Sequence, residues 1–226
     1  QINNYEEVNF WLNVSAQNFE TFYGQISNKI LGTTNTINWK SDILDNKSEK
    51  SFFKIPAGKR IMALIQIGRV NDAENEIIKL NKSINESVAL ISLVISKKFN
   101  FAKTQLKIAN KLESLNKKVP VKYYYPVPSW KTSFDKVDKA LVFAFIHQES
   151  SFNKDAKSRK GAIGLMQIMP KTAKFISTNK IVKRNNANIL KDPLLNIEVG
   201  QEYIEYLLNL DYINNNLIFM TAAYNG

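Results

Sequence analysis

Cysteine is absent from the 226 residues, and histidine occurs only once, as His147. The missing thiols exclude a disulfide scaffold, a cysteine nucleophile and any cysteine-ligated zinc, and they fit a periplasmic protein as well as a cytosolic one. A lone imidazole with no thiol beside it leaves a zinc site without ligands, so His147 is read as a structural or groove-edge residue. No twelve-residue stretch carries the ligands and closing Glu of a calcium loop. No metal and no cofactor are expected. Long apolar runs are lacking too: the longest, Ala140 to Ile146, has 7 residues, against the roughly 18 that span a bilayer, so no transmembrane anchor is expected. From Gln1 onward there is neither the basic n-region nor the apolar h-region of a signal peptide. With an abrupt stop at Gly226, the sequence reads as a mature or trimmed fragment whose signal peptide is not in this chain.

Acidic residues are in deficit, 20 Asp and Glu against 31 Lys and Arg, a net charge of +11. Such a balance favours a polyanionic partner, whether nucleic acid, an anionic membrane or an anionic cell wall. No nucleic-acid-binding motif accompanies it, so no nucleic-acid partner is expected. The lysine pairs Lys97-Lys98 and Lys117-Lys118 are solvated helix ends by default. A hydrophobic content of 44% with 11% aromatics supplies apolar surface for one large domain or two modest ones. Nothing in the sequence sets an oligomeric state.

Helical spacing dominates. Phe10, Trp11, Val14, Phe19, Phe22, Tyr23, Ile26 and Ile30 recur three or four apart and predict a helix pair over Tyr5 to Leu31. Residues 32–58 are polar and lack sustained periodicity apart from the short Ser51 to Ile55 stretch, and are expected to form a long loop or a poorly packed connection. From Arg60 to Leu115 a helix-turn-helix rhythm returns: Arg60 to Ile67, a turn at Gly68-Arg69, Asp72 to Leu80, Ser87 to Lys97 and Phe101 to Leu115. Small residues at Ala63, Ala73, Ala89 and Ala102 would let these helices approach closely. The pattern is that of a loose tetratricopeptide-like array with a shorter, less regular period. Prolines at 120, 126 and 128 around Tyr123-Tyr124-Tyr125 break the helical pattern and place a boundary between a scaffold over 1–120 and a second domain over 121–226. In that second domain Asp138 is a candidate N-cap for a helix to about Glu149, whose apolar stretch Leu141 to Ile146 predicts burial on all sides. Pro170 suits the first position of another helix, and further helices are predicted at Pro193 to Leu210 and Asn214 to Tyr224. No β-hairpin signal is present, so the class is all-α.

Glu149 follows directly on the buried helix. Taken alone, a Glu at a helix end is ordinarily a solvated carboxylate; partly desolvated, its charged form is disfavoured and its pKa rises toward that of a general acid. The segment Gly161-Ala162-Ile163-Gly164-Leu165-Met166-Gln167-Ile168-Met169-Pro170 sets one polar amide among bulky apolar residues, between glycines that permit close backbone approach. That is equally a core with a turn, or the apolar floor of a sugar-sized groove with an amide to orient the ligand.

Glu149-Ser150-Ser151-Phe152, Gly164 to Pro170 and Ala222-Ala223-Tyr224-Asn225-Gly226 resemble, in order and spacing, three motifs of the soluble lytic transglycosylases. Asn196 to Gly200 followed by Tyr203 resembles the helix those enzymes place between the second and third. The resemblance covers about residues 122–226. Upstream, Thr21 to Gln25 and Tyr125-Pro126 resemble the linker region of the large periplasmic members. It implies a helical-repeat, superhelical scaffold followed by a lysozyme-like α catalytic domain, acting on peptidoglycan glycan strands in the periplasm of a Gram-negative bacterium. Glu149 would be the sole catalytic acid/base, Ser158 a groove residue near the sugar N-acetyl group, and Gln167, Met169 and Tyr224 further substrate-binding residues of that groove. The family normally has Arg where this chain has His147, and a small or polar residue or Arg where it has Ile163; it also continues past the position of Gly226 with helices that close the groove. The implied reaction is non-hydrolytic cleavage between N-acetylmuramic acid and N-acetylglucosamine to a 1,6-anhydro product, with the substrate's acetamido group in place of the second carboxylate that ordinary glycosidases use. Asp155, the nearest other carboxylate in sequence, is read as a solvated loop residue. A lysozyme-like hydrolase and a non-catalytic peptidoglycan-binding scaffold use the same residues and stand as alternatives.

Overall fold

The computed structural model describes residues 4–35, 37, 39, 46–82, 86–184 and 186–226. Its helices are α1 (Tyr5–Ala16), α2 (Phe22–Leu31), α3 (Asn46–Lys54), α4 (Pro56–Gln66), α5 (Val70–Leu80), α6 (Glu86–Lys98), α7 (Ala102–Ser114), α8 (Lys139–Ser150), α9 (Pro170–Ile176), α10 (Lys180–Arg184), α11 (Pro193–Leu208) and α12 (Leu217–Asn225). Short 3-10 turns lie at Val121–Tyr123 and Ala187–Lys191. Among the described residues the only β pairing is two isolated antiparallel bridges, Lys157 with Ile163 and Ile163 with Ile168. The all-α class expected from the sequence is therefore the class observed. The chain forms two compact units, Gln1–Phe99 with Lys107–Pro126, and Asn100–Leu106 with Val127–Gly226.

In the first unit, α1 and α2 meet through small and polar residues. Gly24 brings α2 so close that a Cβ there would overlap the Asn18 carbonyl, and buried Asn28 donates to the carbonyls of Ala16 (3.0 Å) and Gly24 (2.8 Å). Phe10, Trp11, Phe22, Tyr23 and Ile30, whose spacing predicts this pair, stay exposed. The helical period holds, but the buried side is the small-residue one, because closer backbone approach is possible there. Residues 32–58 differ from the expected loop: they include α3 and the start of α4, with Phe52 buried and Pro56 at the first helical position. One buried ring on a short polar helix is too little repetition to register as periodicity; residues 36, 38 and 40–45 of that stretch lie outside the described residues. α4 and α5 form a hairpin across Gly68, whose φ of 76° suits glycine. Asn81, ending α5, donates to Ser92 Oγ of α6 (3.0 Å), and Lys111 of α7 donates to the carbonyls of Asn81 and Lys82 (3.0 and 2.8 Å). Of the predicted close-packing positions, Ala73, Ala89 and Ala102 are buried and Ala63 is exposed.

The second unit is built around α8. Asp138 caps it, accepting from the backbone N–H groups of Ala140 (2.8 Å) and Leu141 (3.3 Å). Val142, Phe143, Phe145 and Ile146 are buried against Ile163, Leu165, Met166, Ile168, Ile197, Ile204 and Met220. Trp130, Phe134 and Phe152 close the aromatic side of this core over Phe143, with ring centroids 5.6 to 6.4 Å apart. The expected burial of α8 on all sides is not what is seen: Ala140, Ala144 and Gln148, spaced i, i+4, i+8, form an exposed stripe. An unbroken apolar run cannot distinguish an alanine facing the core from one facing solvent, since a methyl group costs little at the surface. Among the described residues no helix is long and apolar enough to cross a membrane.

Candidate active site

The end of α8 sets the site. Ser151 (φ 48°) and Phe152 (φ 63°) are both left-handed, a conformation that costs residues with a Cβ about 1–3 kcal/mol each and persists where the surroundings over-determine it. Here those surroundings are visible. The Ser151 N–H donates to the carbonyl of His147 (3.1 Å), and the Phe152 ring is driven into the core, its centroid 6.2 Å from Trp130 and 6.1 Å from His147. The chain is thereby turned back over the helix end that carries Glu149.

The returning segment folds as a nested double turn. Gly164 N donates to Ala156 O (2.9 Å), Ser158 N to Ala162 O (2.9 Å), and Ile163 and Ile168 exchange both backbone bonds (3.0 and 3.1 Å). Gly164 has a φ of 84°, and a Cβ there would overlap the Asn196 amide and the Leu190 carbonyl, so only glycine lets this turn lie against α11. One face of α11 then secures it. Asn196 is fully buried; its Oδ1 accepts from Met166 N (2.8 Å), and its Nδ2 donates to the carbonyls of Ile163 (3.0 Å) and Leu190 (2.8 Å). Four residues on, Gly200 leaves the space that the Met166 thioether fills. Three further, Tyr203 places its ring 5.0 Å from that of Tyr224. Positions i, i+4 and i+7 lie on one side of a helix, which is the physical content of the Asn196, Gly200, Tyr203 spacing.

Tyr224, from α12, is the point where the elements converge. Its hydroxyl donates to Met166 O (2.7 Å), so the Met166 backbone is held by Asn196 at its N–H and by Tyr224 at its carbonyl, in two successive peptide groups. Its ring packs 4.4 Å from Phe145 of α8. Burial raises the Tyr224 pKa well above 10.0, and the nearby Glu149 carboxylate and Tyr203 push in the same direction. Glu149 itself is half-buried, and burial raises its pKa above the ordinary 4.5. Among the described residues no hydrogen-bond donor or cation engages that carboxyl, so nothing offsets the desolvation.

The predicted groove residues divide into those brought together and those that stand alone. Glu149, Gln167 and Tyr224 are linked, Tyr224 by electrostatic proximity to Glu149 and by its hydrogen bond to the peptide preceding Gln167. Gln167 is held at φ 48° with its Nε2 donating to Gly164 O (2.9 Å), which leaves its side-chain carbonyl unengaged. Met169 is the N-cap of α9 and partly exposed. Among the described residues Ser158 hydrogen-bonds only within its own turn: its Oγ accepts from Ala162 N (3.0 Å), leaving the hydroxyl proton to donate elsewhere. Asp155 is exposed. Asn196 and Phe145 were not singled out as site residues from the sequence; a polar residue two turns before a tyrosine on one helix face was the available signal for Asn196, whereas nothing distinguished Phe145 from other core positions. Among the described residues no group of three His, Asp or Glu side chains is placed to hold a metal ion.

A Tyr224→Phe substitution tests the clamp. It removes a hydrogen bond to the carbonyl of fully buried Met166 and is expected to cost about 1–3 kcal/mol, read as a lower denaturant midpoint with unchanged slope. An unchanged midpoint would show that the bond contributes nothing to holding the segment.

The arrangement has counterparts among known proteins. Residues 129–226 match the family described as Transglycosylase SLT domain. The chain is 29% identical over 209 residues to the soluble lytic murein transglycosylase of Escherichia coli K12, covering 91% of this chain and 32% of that protein. It is 37% identical over 90 residues to a putative soluble lytic murein transglycosylase of Haemophilus influenzae, covering 40% of this chain and 15% of that protein. Among solved structures, the 70-kDa soluble lytic transglycosylase of Escherichia coli superposes with a TM-score of 0.73 at 24% identity, over 98% of this chain and 35% of that one. The lytic transglycosylase Slt of Pseudomonas aeruginosa does so with a TM-score of 0.74 at 22% identity, over 99% and 36%. The chain thus spans about a third of the length of the Escherichia coli relative.

Proposed function

We propose, from the match of residues 129–226 to the Transglycosylase SLT domain family, that the chain is the catalytic end of a peptidoglycan lytic transglycosylase working in the periplasm of a Gram-negative bacterium. The observation that carries the reading is the placement of Glu149: a half-buried carboxyl with a raised pKa and, among the described residues, no cation or donor against it, in electrostatic contact with a tyrosine that clamps the groove segment.

Burial raises the Glu149 pKa, which favours the acid form that starts the reaction. Glu149 donates it to the glycosidic oxygen linking N-acetylmuramic acid to N-acetylglucosamine, and the bond from the muramyl anomeric carbon to that oxygen breaks. The substrate's acetamido oxygen stabilises the cationic carbon. The Glu149 carboxylate then takes the proton from the muramyl 6-hydroxyl, whose oxygen bonds to the anomeric carbon and closes the 1,6-anhydro ring. The proton given is regained, water is not consumed, and one carboxyl serves both steps, where hydrolytic glycosidases use two. Ser158, with its hydroxyl proton unspent, is suited to donate to the acetamido carbonyl. Gln167 offers its side-chain carbonyl to a sugar hydroxyl or amide, and Met169 supplies apolar floor. The net charge of +11 suits an anionic cell-wall polymer. The helical segment over 1–120 is proposed to act as a scaffold that positions the domain over 121–226 or limits which strand ends reach it.

The reading is tested by incubating the chain, within its full-length protein, with purified sacculi and identifying released muropeptides by mass spectrometry. Products with the 1,6-anhydro ring are expected. Reducing ends would mean a hydrolase, and binding without release a scaffold. The pH dependence adds a second check. The acid form of Glu149 starts the reaction, so kcat/KM should fall about tenfold per pH unit above its folded pKa. The inflection is expected above 4.5, the direction in which burial moves the group; an inflection at or below that value would remove Glu149 from the role of acid.

A further inference from the structure

Four aromatic side chains of the second unit lie outside the chemistry just described and form a path leading away from it. Tyr203 packs at a tilt of 41° on Tyr224, with ring centroids 5.0 Å apart. Tyr206, three residues along α11, lies on the same side of that helix and pairs edge-on with Phe175 of α9 at 5.6 Å and 89°. Tyr212 follows just past the end of α11. Burial raises the Tyr203 pKa above the ordinary 10.0, and Tyr206 and Tyr212 push in the same direction. The outer members are open to solvent: Phe175 is 70% exposed, Tyr212 74% and Tyr206 39%.

An aromatic cluster left on a soluble surface at this exposure is costly, and such patches mark binding faces. From the ring contacts Tyr224–Tyr203 and Tyr206–Phe175, joined by the i, i+3 spacing of Tyr203 and Tyr206 on α11, we infer that Phe175 and Tyr206, with exposed Tyr212 beyond the end of α11, form an outer glycan-binding platform that takes sugar residues of the same strand beyond those at Glu149. This rests on the proposed peptidoglycan reading and extends it from the bond cleaved to the length of strand recognised. The chemistry of the patch fits a sugar better than a protein helix. Hexosamine rings present apolar C–H faces that pack on aromatic rings, while their rims of hydroxyl and amide groups need partners such as the Tyr206 and Tyr212 phenol hydroxyls; an apolar helix would bury those hydroxyls without partners. Exposed Lys171 and Lys174 on α9 add positive charge beside Phe175, as the carboxyl-bearing substituents of murein require.

The test is the ratio of affinities for the hexamer and the dimer of β-1,4-linked N-acetylglucosamine, measured by calorimetry on the full-length protein and on two variants, Phe175→Ala with Tyr212→Ala, and Tyr206→Ala alone. The double variant changes largely exposed residues, so its fold, checked by circular dichroism, is expected to be unaltered. Loss of two stacking contacts should reduce the hexamer-to-dimer ratio about tenfold. An unchanged ratio, with binding intact, would overturn the platform and leave the peptidoglycan reading standing. No binding of either oligomer by the parent protein, together with no muropeptide release, would overturn both. A change in sedimentation behaviour in the double variant with an unchanged ratio would instead make the patch a contact between copies of this chain.

Discussion

Glu149→Gln is expected to reduce anhydromuropeptide release by about a thousandfold or more, while leaving the fold in place and raising its stability at neutral pH. The loss follows from asking one carboxyl to be both acid and base: the amide can neither donate a proton to a leaving oxygen nor remove one from the 6-hydroxyl, and general acid and base catalysis each contribute about a hundredfold to ten-thousandfold. The stability gain follows from linkage. In the folded protein the Glu149 pKa lies above its unfolded value. Below the unfolded pKa both states hold the proton and the group contributes nothing. As pH rises from there through the folded pKa, the unfolded state has already lost a proton that the folded state retains, so stability falls, and above the folded pKa the full cost of a desolvated carboxylate is present. Gln never carries that charge. Its advantage in chemical denaturation should therefore appear at pH 7 and vanish below about pH 4.5, the ordinary carboxyl value. A variant that retains turnover would move the acid to another residue; one that loses turnover and is also less stable at pH 7 would mean that Glu149 holds the fold together.

Asn196→Ala is expected to be among the most damaging single changes in the second unit, with a stability loss of about 3–5 kcal/mol. The side chain is fully buried and satisfies the N–H of Met166 and the carbonyls of Ile163 and Leu190. Alanine leaves the Met166 N–H and the Leu190 carbonyl without partners, while the Ile163 carbonyl keeps the Ile168 N–H; each such group costs about 1–3 kcal/mol, partly recovered by relaxation. The cavity left beside Gly164 adds to the loss. The damage should also reach function, because Met166, held by Asn196 at its N–H, is the residue whose carbonyl receives the Tyr224 hydroxyl. Thermal or denaturant unfolding measures the stability term, and glycan affinity at a temperature where the variant is folded measures the other. A loss under about 1 kcal/mol would show that the turn over 156–168 is held by its own backbone bonds alone.

Most helices were legible, because their apolar residues recur at helical spacing and their ends carry recognisable caps: Asp138 before α8, Pro170 opening α9, Pro193 opening α11. α3 was not, since a short polar helix with one buried ring carries little repetition, and the exposed stripe of α8 departs from the all-round burial its apolar run predicts, because a run or a spacing does not say which side finds a partner. In the site, Glu149, Gln167 and Tyr224 stood out as residue types set in motifs. The role of Asn196 did not, because a buried asparagine looks like any other asparagine until the backbone groups it meets, some thirty residues away in the chain, are in place.

The sequence by itself determined the local matters: helices over the periodic stretches, the end of α8 at a carboxyl, glycines where the backbone had to turn or draw close, and the chemical classes excluded for want of cysteine and a second histidine. Only the tertiary structure decided which groups act on one another. The raised pKa of Glu149, the clamp of Tyr224 and Asn196 on Met166, and the aromatic path from Tyr224 to Phe175 all depend on burial and on contacts between segments far apart in the chain. Desolvation and hydrogen bonding fall off within a few ångströms, and distance in space, unlike order in sequence, exists only once the chain has folded.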